Sequence, residues 1–294
     1  MHDTAGGRLP LAQLRGLGTL MRPKQWVKNG FVLMPLIFTS KFLDANAVSH
    51  ALLAVLLFCL ASSAAYIVND MHDIERDRRH PQKFKSRPLA AGIVSASMAL
   101  ALLAVLYGAL ICGWFFVPNV VLVIGAYLAL NLAYTFMLKH QPVVDIFTIA
   151  IGFALRVGAG AVALDVSVSS WMFLTTLCLA LYLAVVKRRQ ELRLDGPEWR
   201  KVLEMYSVSL MGRYAEMSAT CALVFYGMFV MSDKTQLVIT FPLVLFGFFR
   251  YWYVVEELDG GESPTDALLT DWPLLLTVVL WVGACAWALW PTKG

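Results

Sequence analysis

Charged residues are scarce in this sequence. They make up 15% of its 294 residues, while 59% are hydrophobic; a soluble domain usually has about a quarter of its residues charged. A soluble helical bundle would also need polar faces about as wide as its apolar ones, and the long uncharged runs do not supply them. The composition excludes an ordinary soluble protein and indicates a chain that crosses a membrane several times.

Cysteine is rare as well, and it lacks the spacings that bind metals or form disulfide frameworks. The positions of the five cysteines within apolar runs favour small apolar fillers over disulfides or metal ligands. Gly/Ser linkers and low-complexity tracts are missing, so we expect one membrane domain over residues 21–294. Residues 1–20 lack the apolar core and cleavage site of a signal peptide, and they predict an amphipathic or disordered lead-in.

Apolar runs of the length that spans a bilayer recur nine times. A spanning helix needs about 20 mainly apolar residues, and the runs are 27–43, 48–68, 93–117, 120–138, 142–164, 168–186, 214–231, 237–255 and 272–290. If the N-terminus is cytoplasmic, 20 of the 24 Lys and Arg residues lie on the cytoplasmic side or at its boundary. The positive-inside rule favours this orientation, so we expect the long loops and the functional residues on the inner face.

The scarce charge is concentrated directly after the second predicted span. The stretch from Asn69 to Pro88 holds four acidic and six basic residues. On a helix that continues out of the membrane, Asp70, Asp73 and Asp77 share one face and Glu75 points away. Such a stripe suits Mg²⁺, which takes one or two carboxylates plus substrate phosphates, with basic residues meeting the remaining phosphate charge. The alternative is a solvated, salt-bridged helix end.

Two further features point to the same side of the membrane. Glu191 and Asp195 are spaced i, i+4 after the sixth predicted span, four spans beyond the first acidic motif. Together the two motifs could clamp a Mg²⁺-diphosphate, although positive-inside charge and i, i+4 pairing explain the second motif equally well. Arg156 lies inside a span, where an arginine costs about 3 kcal/mol or more. An anionic lipid phosphate would suit it; the alternative partners are an acid or carbonyls of a neighbouring helix.

These residues carry a family resemblance. "NDMHDIERD" resembles the NDxxDxxxD motif of the UbiA superfamily of intramembrane prenyltransferases, and nine spans with a second acidic motif agree with that superfamily. Further stretches are similar to its decaprenyl-phosphate phosphoribosyltransferase branch over about residues 20–290. These stretches are "RPKQWVKN", "HPQKFKSRPLAAG", "YTFMLKHQPVVD", "GFALRVGAGA", "KRRQEL", "RKVLEMYS" and "FRYW".

The resemblance implies an all-α membrane protein, a nine-transmembrane-helix bundle of the UbiA type with cytoplasmic cap loops. It implies that Asp70, Asp73 and Asp77 bind Mg²⁺, and that these three and Glu191 are the catalytic residues. It also implies a set of substrate-binding residues, to which the buried Arg156 is added. These are Lys28, Asn69, Lys83, Arg87, Tyr134, Lys139, Arg156, Lys187 and Arg188.

The activity implied is the transfer of a phosphoribosyl group from 5-phosphoribosyl 1-diphosphate to a polyprenyl phosphate, for the synthesis of envelope arabinose precursors. A prenyltransferase that joins a polyprenyl diphosphate to an aromatic acceptor is the nearest alternative, because it ejects the same Mg²⁺-diphosphate. A transporter is the alternative from another class. The expected partners are the two substrates and the bilayer of the inner membrane, with no nucleic acid; a homo-oligomer is left open.

Overall fold

The computed structural model describes residues 10–194, 201–258 and 264–291. All regular structure in these ranges is helical. The α-helices are α1 (Leu11–Leu20), α2 (Met34–Phe38), α3 (Ala45–His72), α4 (Ile74–Arg79), α5 (Pro81–Ser86), α6 (Ala96–Gly113), α7 (Pro118–Phe136), α8 (Val144–Ala163), α9 (Ser170–Leu194), α10 (Val208–Asp233), α11 (Phe241–Glu256), α12 (Pro264–Thr270) and α13 (Trp272–Ala288). Short 3₁₀ helices cover Pro23–Leu33, Lys41–Leu43, Leu138–His140, Lys201–Met205 and Thr235–Thr240.

Seven of the described helices are long and apolar enough to cross a membrane, and the count rises to eight if α12 and α13 form one span bent by 92°. The predicted first span, 27–43, is not a continuous α-helix. It consists of the 3₁₀ helix Pro23–Leu33 followed by the short helix α2. The all-helical membrane fold is therefore confirmed, while the number of nine spans stays a prediction.

Several helices begin at a residue whose side chain satisfies the free backbone N–H groups of the first turn. Asp44 caps α3 by accepting hydrogen bonds from the N–H groups of Asn46 and Ala47. Ser95 and Ser207 cap α6 and α10 in the same way. Asp271 caps α13 and also binds Arg250 of α11, which fixes the sharp turn before the last helix. These caps help to fix where the long helices start.

Small residues let the central helices approach closely. A Cβ atom built on Gly160 of α8 would lie 1.9 Å from the carbonyl oxygen of Val32, so the helix backbone touches the 3₁₀ helix Pro23–Leu33. The buried face of α3 is rich in alanine and serine, including Ala54, Ala61 and Ser62. Small-residue interfaces of this kind are typical of helix packing in membranes. They bring α3, α7, α8 and the 3₁₀ helix together around the region described next.

Candidate active site

The carboxylate of Asp70 lies at the end of α3 and is almost fully buried, with 2% of the side chain exposed. It forms ion pairs with the guanidinium groups of Arg22 and Arg87. The Arg22 guanidinium also lies 4.5 Å from the centre of the Tyr66 ring. A buried carboxylate needs such compensation, because an unpaired charge away from water is very costly. Asp70 therefore joins α3 to two other segments: Arg22 directly before the 3₁₀ helix Pro23–Leu33, and Arg87 directly after α5.

Asp73 lies where the chain leaves α3, and three cationic or imidazole side chains surround it. Lys139 places its Nζ atom 2.8 Å and 3.0 Å from the two carboxylate oxygens. Nδ1 of His72 lies 3.0 Å from one oxygen, and Arg76 donates to the other. Burial opposes ionisation of Asp73, but the hydrogen bonds from Lys139 and His72 outweigh it and lower the pKa of this carboxyl group. Asp73 is thus held as a buried carboxylate.

Asp77 lies one turn further, on α4, and 3% of it is exposed. Burial raises the pKa of Asp77, although the charges of Arg76 and Lys83 partly offset that effect. Glu75 has 77% of its side chain exposed and pairs only with its neighbour Arg78 in the described structure, in agreement with its expected outward direction. The three aspartates are therefore gathered on the buried side, although the helix they were expected to share is interrupted at Asp73.

The second acidic motif is organised by Arg188, which is 1% exposed. Its Nη1 atom donates to Glu191 over 2.7 Å, and its Nη2 atom donates to the hydroxyl of Tyr134 over 2.7 Å. Its Nε atom donates to Asp145 over 3.0 Å. Asp145 in turn accepts a hydrogen bond of 2.8 Å from the hydroxyl of Tyr206. Residue 195, the second acid of this motif, lies outside the described residues.

The end of α7 contacts both acidic motifs. Tyr134 receives the hydrogen bond from Arg188, and the next residue, Thr135, donates over 3.5 Å to Asn69 beside Asp70. Lys28, on the 3₁₀ helix, interacts electrostatically with Arg22 of the first cluster and with Arg188 of the second. The structure thus brings the two acidic motifs to one end of the bundle. Lys187 lies at the edge, 3.7 Å from Glu191 and 36% exposed.

Arg156 is buried among neutral partners. It donates hydrogen bonds to Asn29 over 2.8 Å, to the carbonyl of Gly152 over 2.9 Å and to the hydroxyl of Tyr127 over 3.0 Å. The rings of Tyr127, Phe153 and Phe58 lie 4.8–5.7 Å from its guanidinium. These partners already accept the hydrogen bonds of Arg156, so a lipid phosphate is not needed to complete them. Among its described contacts there is no acidic side chain.

Several residues of the site were not found by sequence reasoning. Arg22 and His72 contact acids of the first motif, and Asp145 with Tyr206 holds Arg188. Arg22 lies within the quoted "RPKQWVKN" stretch, but periodicity gave no reason to pair it with Asp70, 48 residues away. His80 lies between α4 and α5, and its Nδ1 atom accepts hydrogen bonds from the first backbone N–H groups of α5.

The acids could hold a divalent metal together with a phosphorylated ligand. Carboxylate oxygens are the ligands that Mg²⁺ prefers. In the part of the chain that the structure describes, no three His, Cys, Asp or Glu side chains are arranged to hold a metal ion by themselves. Mg²⁺ is usually held by one or two carboxylates plus substrate phosphates and waters, so the donor set fits a metal that arrives with a diphosphate. The surrounding Arg and Lys residues match the remaining phosphate charge.

Comparison with known proteins explains this arrangement. The model of the UbiA prenyltransferase family matches residues 32–269 of the chain. The chain belongs to this family. A relative from Mycolicibacterium smegmatis named decaprenyl-phosphate phosphoribosyltransferase is 34% identical, over 98% of this chain and 96% of its own length. A protein of the same name from Corynebacterium glutamicum is 35% identical, over 91% of this chain and 84% of its own length.

A solved structure supports the fold of this UbiA family member. The UbiA homologue from Archaeoglobus fulgidus, in complex with GPP and Mg²⁺, superposes with a TM-score of 0.73 and covers 94% of this chain and 99% of its own. Its sequence is only 15% identical, so the likeness concerns the fold. The resemblance inferred from the motifs is confirmed by both kinds of comparison.

Proposed function

We propose that this protein transfers the 5-phosphoribosyl group of 5-phosphoribosyl 1-diphosphate to a polyprenyl phosphate and releases diphosphate. The observation that carries the proposal is the 34% identity to a decaprenyl-phosphate phosphoribosyltransferase over 98% of the chain. The buried acids and the cations around them supply the matching chemistry. They suit a reaction in which a diphosphate departs.

The reaction exchanges one bond at the anomeric carbon of the ribose. The bond to the diphosphate oxygen breaks, and its electron pair leaves with the diphosphate. A lone pair of the acceptor phosphate forms the new bond to that carbon. Mg²⁺, when bound by Asp70, Asp73 and Asp77, supplies a Lewis acid that neutralises charge on the leaving group. The acceptor phosphate is anionic at neutral pH, so the reaction needs no general base.

The ion pairs of the structure suggest how the site receives this charge. Two of the buried acids form ion pairs with cations: Arg22 and Arg87 at Asp70, and Lys139 at Asp73. Asp70, Asp73 and Asp77 would hold the metal of a bound Mg²⁺-diphosphate, and the cations around them would pair with its phosphate oxygens. Preorganised cations in a partly dry site stabilise such charge more strongly than they would in water. Lys28, Lys83, Lys187 and Arg188 extend the same positive surface.

Purified protein supplied with radiolabelled 5-phosphoribosyl 1-diphosphate and polyprenyl phosphate tests the proposal. We expect label in the lipid fraction and release of diphosphate. An inert mixture, together with prenylation of an aromatic acid by a polyprenyl diphosphate, would favour the nearest alternative. Uptake of substrate into sealed vesicles without chemical turnover would instead revive the transporter.

The acidic residues can be tested by a matched set of variants. Asp70→Ala and Asp73→Ala should abolish turnover while the protein still inserts and elutes as the wild type does. Glu75→Ala is the control, because Glu75 carries the same charge on the exposed side of the same segment. Substantial Mg²⁺-dependent activity in either aspartate variant would contradict the role assigned to these residues.

We further propose nine spans with the active site facing the cytoplasm. The eleven residues Pro23–Leu33 at about 2.0 Å each and the five residues of α2 at about 1.5 Å each add up to about 30 Å, the thickness of the hydrocarbon core. This segment is therefore long enough to be the ninth span beside the seven long helices and the bent pair. Cysteines placed at Lys24 and Lys41 should react with a membrane-impermeant thiol reagent from opposite sides of the membrane. Labelling of both from the same side would rule out the ninth span.

A further inference from the structure

A second cleft lies on another side of α9, away from the contacts of Arg188. It has a volume of about 800 Å³ and is lined by residues of α9, α10 and α11. Arg188 contacts Asp145 and Tyr134, whereas its neighbour Arg189 forms an ion pair with Glu256 of α11 and lines the cleft. The cleft is therefore separate from the candidate active site.

The walls of this cleft suit an amphiphilic molecule. From α10 come small side chains such as Gly212 and Thr220, and from α11 come large aromatic ones, including Phe249 and Trp252. A volume of this size is typical of sites for small molecules, and their walls are mainly apolar. Because α9, α10 and α11 cross the membrane, lipids are the amphiphiles present at this surface.

Deep in the cleft lies an unused hydrogen-bonding group. Tyr182 is 1% exposed and its ring stacks on Trp252 at 5.8 Å, yet its hydroxyl has no hydrogen-bond partner among the described residues. Buried hydroxyl groups nearly always have a partner. Tyr182 precedes Arg189 by seven residues, so the hydroxyl-bearing residue lies about 10 Å along the helix from the charged end of the cleft. A ligand with a carbonyl group at that depth would supply the acceptor.

The charged end of the cleft favours a head group that carries an ammonium ion. Three acids, Glu216, Glu256 and Glu257, line the cleft with one arginine, Arg189. Arg189 pairs with Glu256, and Arg193 beside the cleft pairs with the same acid. Among the described residues Glu216 and Glu257 therefore have no ion pair, and the acids outnumber these two arginines by one. The Nε atom of Arg189 is buried and has no hydrogen-bond partner in the described structure, so it could still donate to a phosphate. A purely anionic lipid would meet the excess acids without compensation.

We propose that this cleft binds a phospholipid with a free ammonium head group, of the phosphatidylethanolamine class. Its ammonium pairs with Glu216 and Glu257, its phosphate accepts from Arg189, and an ester carbonyl accepts from the hydroxyl of Tyr182. The proposal does not depend on the reaction that the active site catalyses. It assigns to this protein a structural lipid site in addition to its substrate sites.

Native mass spectrometry of the full chain in detergent, titrated with phosphatidylethanolamine or phosphatidylglycerol of identical acyl chains, tests the site. We expect phosphatidylethanolamine to bind more tightly, and the double variant Glu216→Gln/Glu257→Gln to lose this preference. Tyr182→Phe should weaken phosphatidylethanolamine by about 2- to 10-fold, the effect of one hydrogen bond. Equal binding of the two lipids to the wild type, or an unchanged preference in the double variant, would overturn the proposal.

A matched pair on α11 separates this site from general lipid contact. Phe249 and Phe246 are both exposed, at 67% and 49%, but of the two only Phe249 is among the described residues that line the cleft. Phe249→Ala should weaken phosphatidylethanolamine binding, and Phe246→Ala should not. Equal effects, or displacement of the lipid by polyprenyl phosphate, would refute the assignment. Thr220→Trp, which fills the cleft from the exposed side, serves if Tyr182→Phe does not fold.

Discussion

Removal of the Asp145 carboxylate is expected to destabilise the protein because it leaves Arg188 buried with too little negative charge. Asp145 is 0% exposed, and it binds Arg188 over 3.0 Å and Tyr206 over 2.8 Å. Removing one partner of a buried ion pair typically costs about 3–5 kcal/mol. Arg188 keeps its hydrogen bonds to Glu191 and Tyr134, so Asp145→Ala should fall at the lower end, about 3 kcal/mol.

Reversible unfolding in mixed micelles, followed by circular dichroism, measures this loss. Tyr206→Phe removes the hydrogen bond to Asp145 and also the acceptor of the backbone N–H of Val143, but it leaves the ion pair of Arg188 in place, so it should cost about 1.5–3 kcal/mol. Glu75→Ala is the control, since an exposed ion pair contributes at most about 1 kcal/mol. If Asp145→Ala were as stable as the Glu75 variant, Arg188 would not depend on the buried pair.

A double variant separates stability from activity. Replacing both charges of a buried pair by apolar side chains is often neutral or stabilising. Asp145→Leu/Arg188→Met should therefore recover most of the stability lost in Asp145→Ala. It should remain inactive in the phosphoribosyl transfer assay, because Arg188 no longer holds Glu191 and Tyr134. Recovery of turnover together with stability would show that Arg188 has no part in the site.

Two further predictions concern packing and pH. Gly160→Ala should cost about 3 kcal/mol, because its Cβ atom would overlap the carbonyl oxygen of Val32. Gly158→Ala is the control and should be tolerated in the same unfolding assay, because its Cβ atom would meet no atom within 4 Å. Equal stability of the two variants would contradict the close helix contact. Burial raises the pKa of Asp77, whereas the charge of Lys83 lowers it. Because Asp77 must be ionised to bind Mg²⁺, activity should rise as the pH rises through this pKa. Lys83→Ala should raise the pKa of Asp77 further and move the acid limb of the kcat/KM profile to higher pH by about one unit or less. Lys83→Arg keeps the charge and should leave the limb in place. An unmoved limb in Lys83→Ala would argue against the assignment of this limb to Asp77.

The first acidic motif could be located from the sequence because its information is local. Helical periodicity depends on neighbouring residues, so it predicted that Asp70, Asp73 and Asp77 share one face and that Glu75 points away. The structure agrees in burial and differs in detail, since α3 ends at His72 and a new helix begins at Ile74. The apolar runs likewise gave the long helices, apart from the first predicted span.

Two partners of the acids could not be predicted because they come from distant segments. Arg22 lies 48 residues before Asp70, and Lys139 lies 66 residues after Asp73. The acidic stripe alone therefore looked like a group of unpaired carboxylates that needed a metal. In the structure, Asp70 and Asp73 are already held by cations from several segments.

Arg156 shows that an argument about the cost of burial does not by itself identify the partners. A buried arginine needs compensation, but the three hydrogen-bond acceptors and the aromatic rings supply it without an acid. Its charge is therefore not cancelled, and it acts on Lys28 together with Arg22 and Arg188. Asn29, which binds Arg156, also donates to Cys59 and Ser62 of α3, so the same contacts fix the 3₁₀ helix that carries Lys28. We therefore propose that Arg156 favours a phosphorylated substrate through its electrostatic potential and through the position of Lys28.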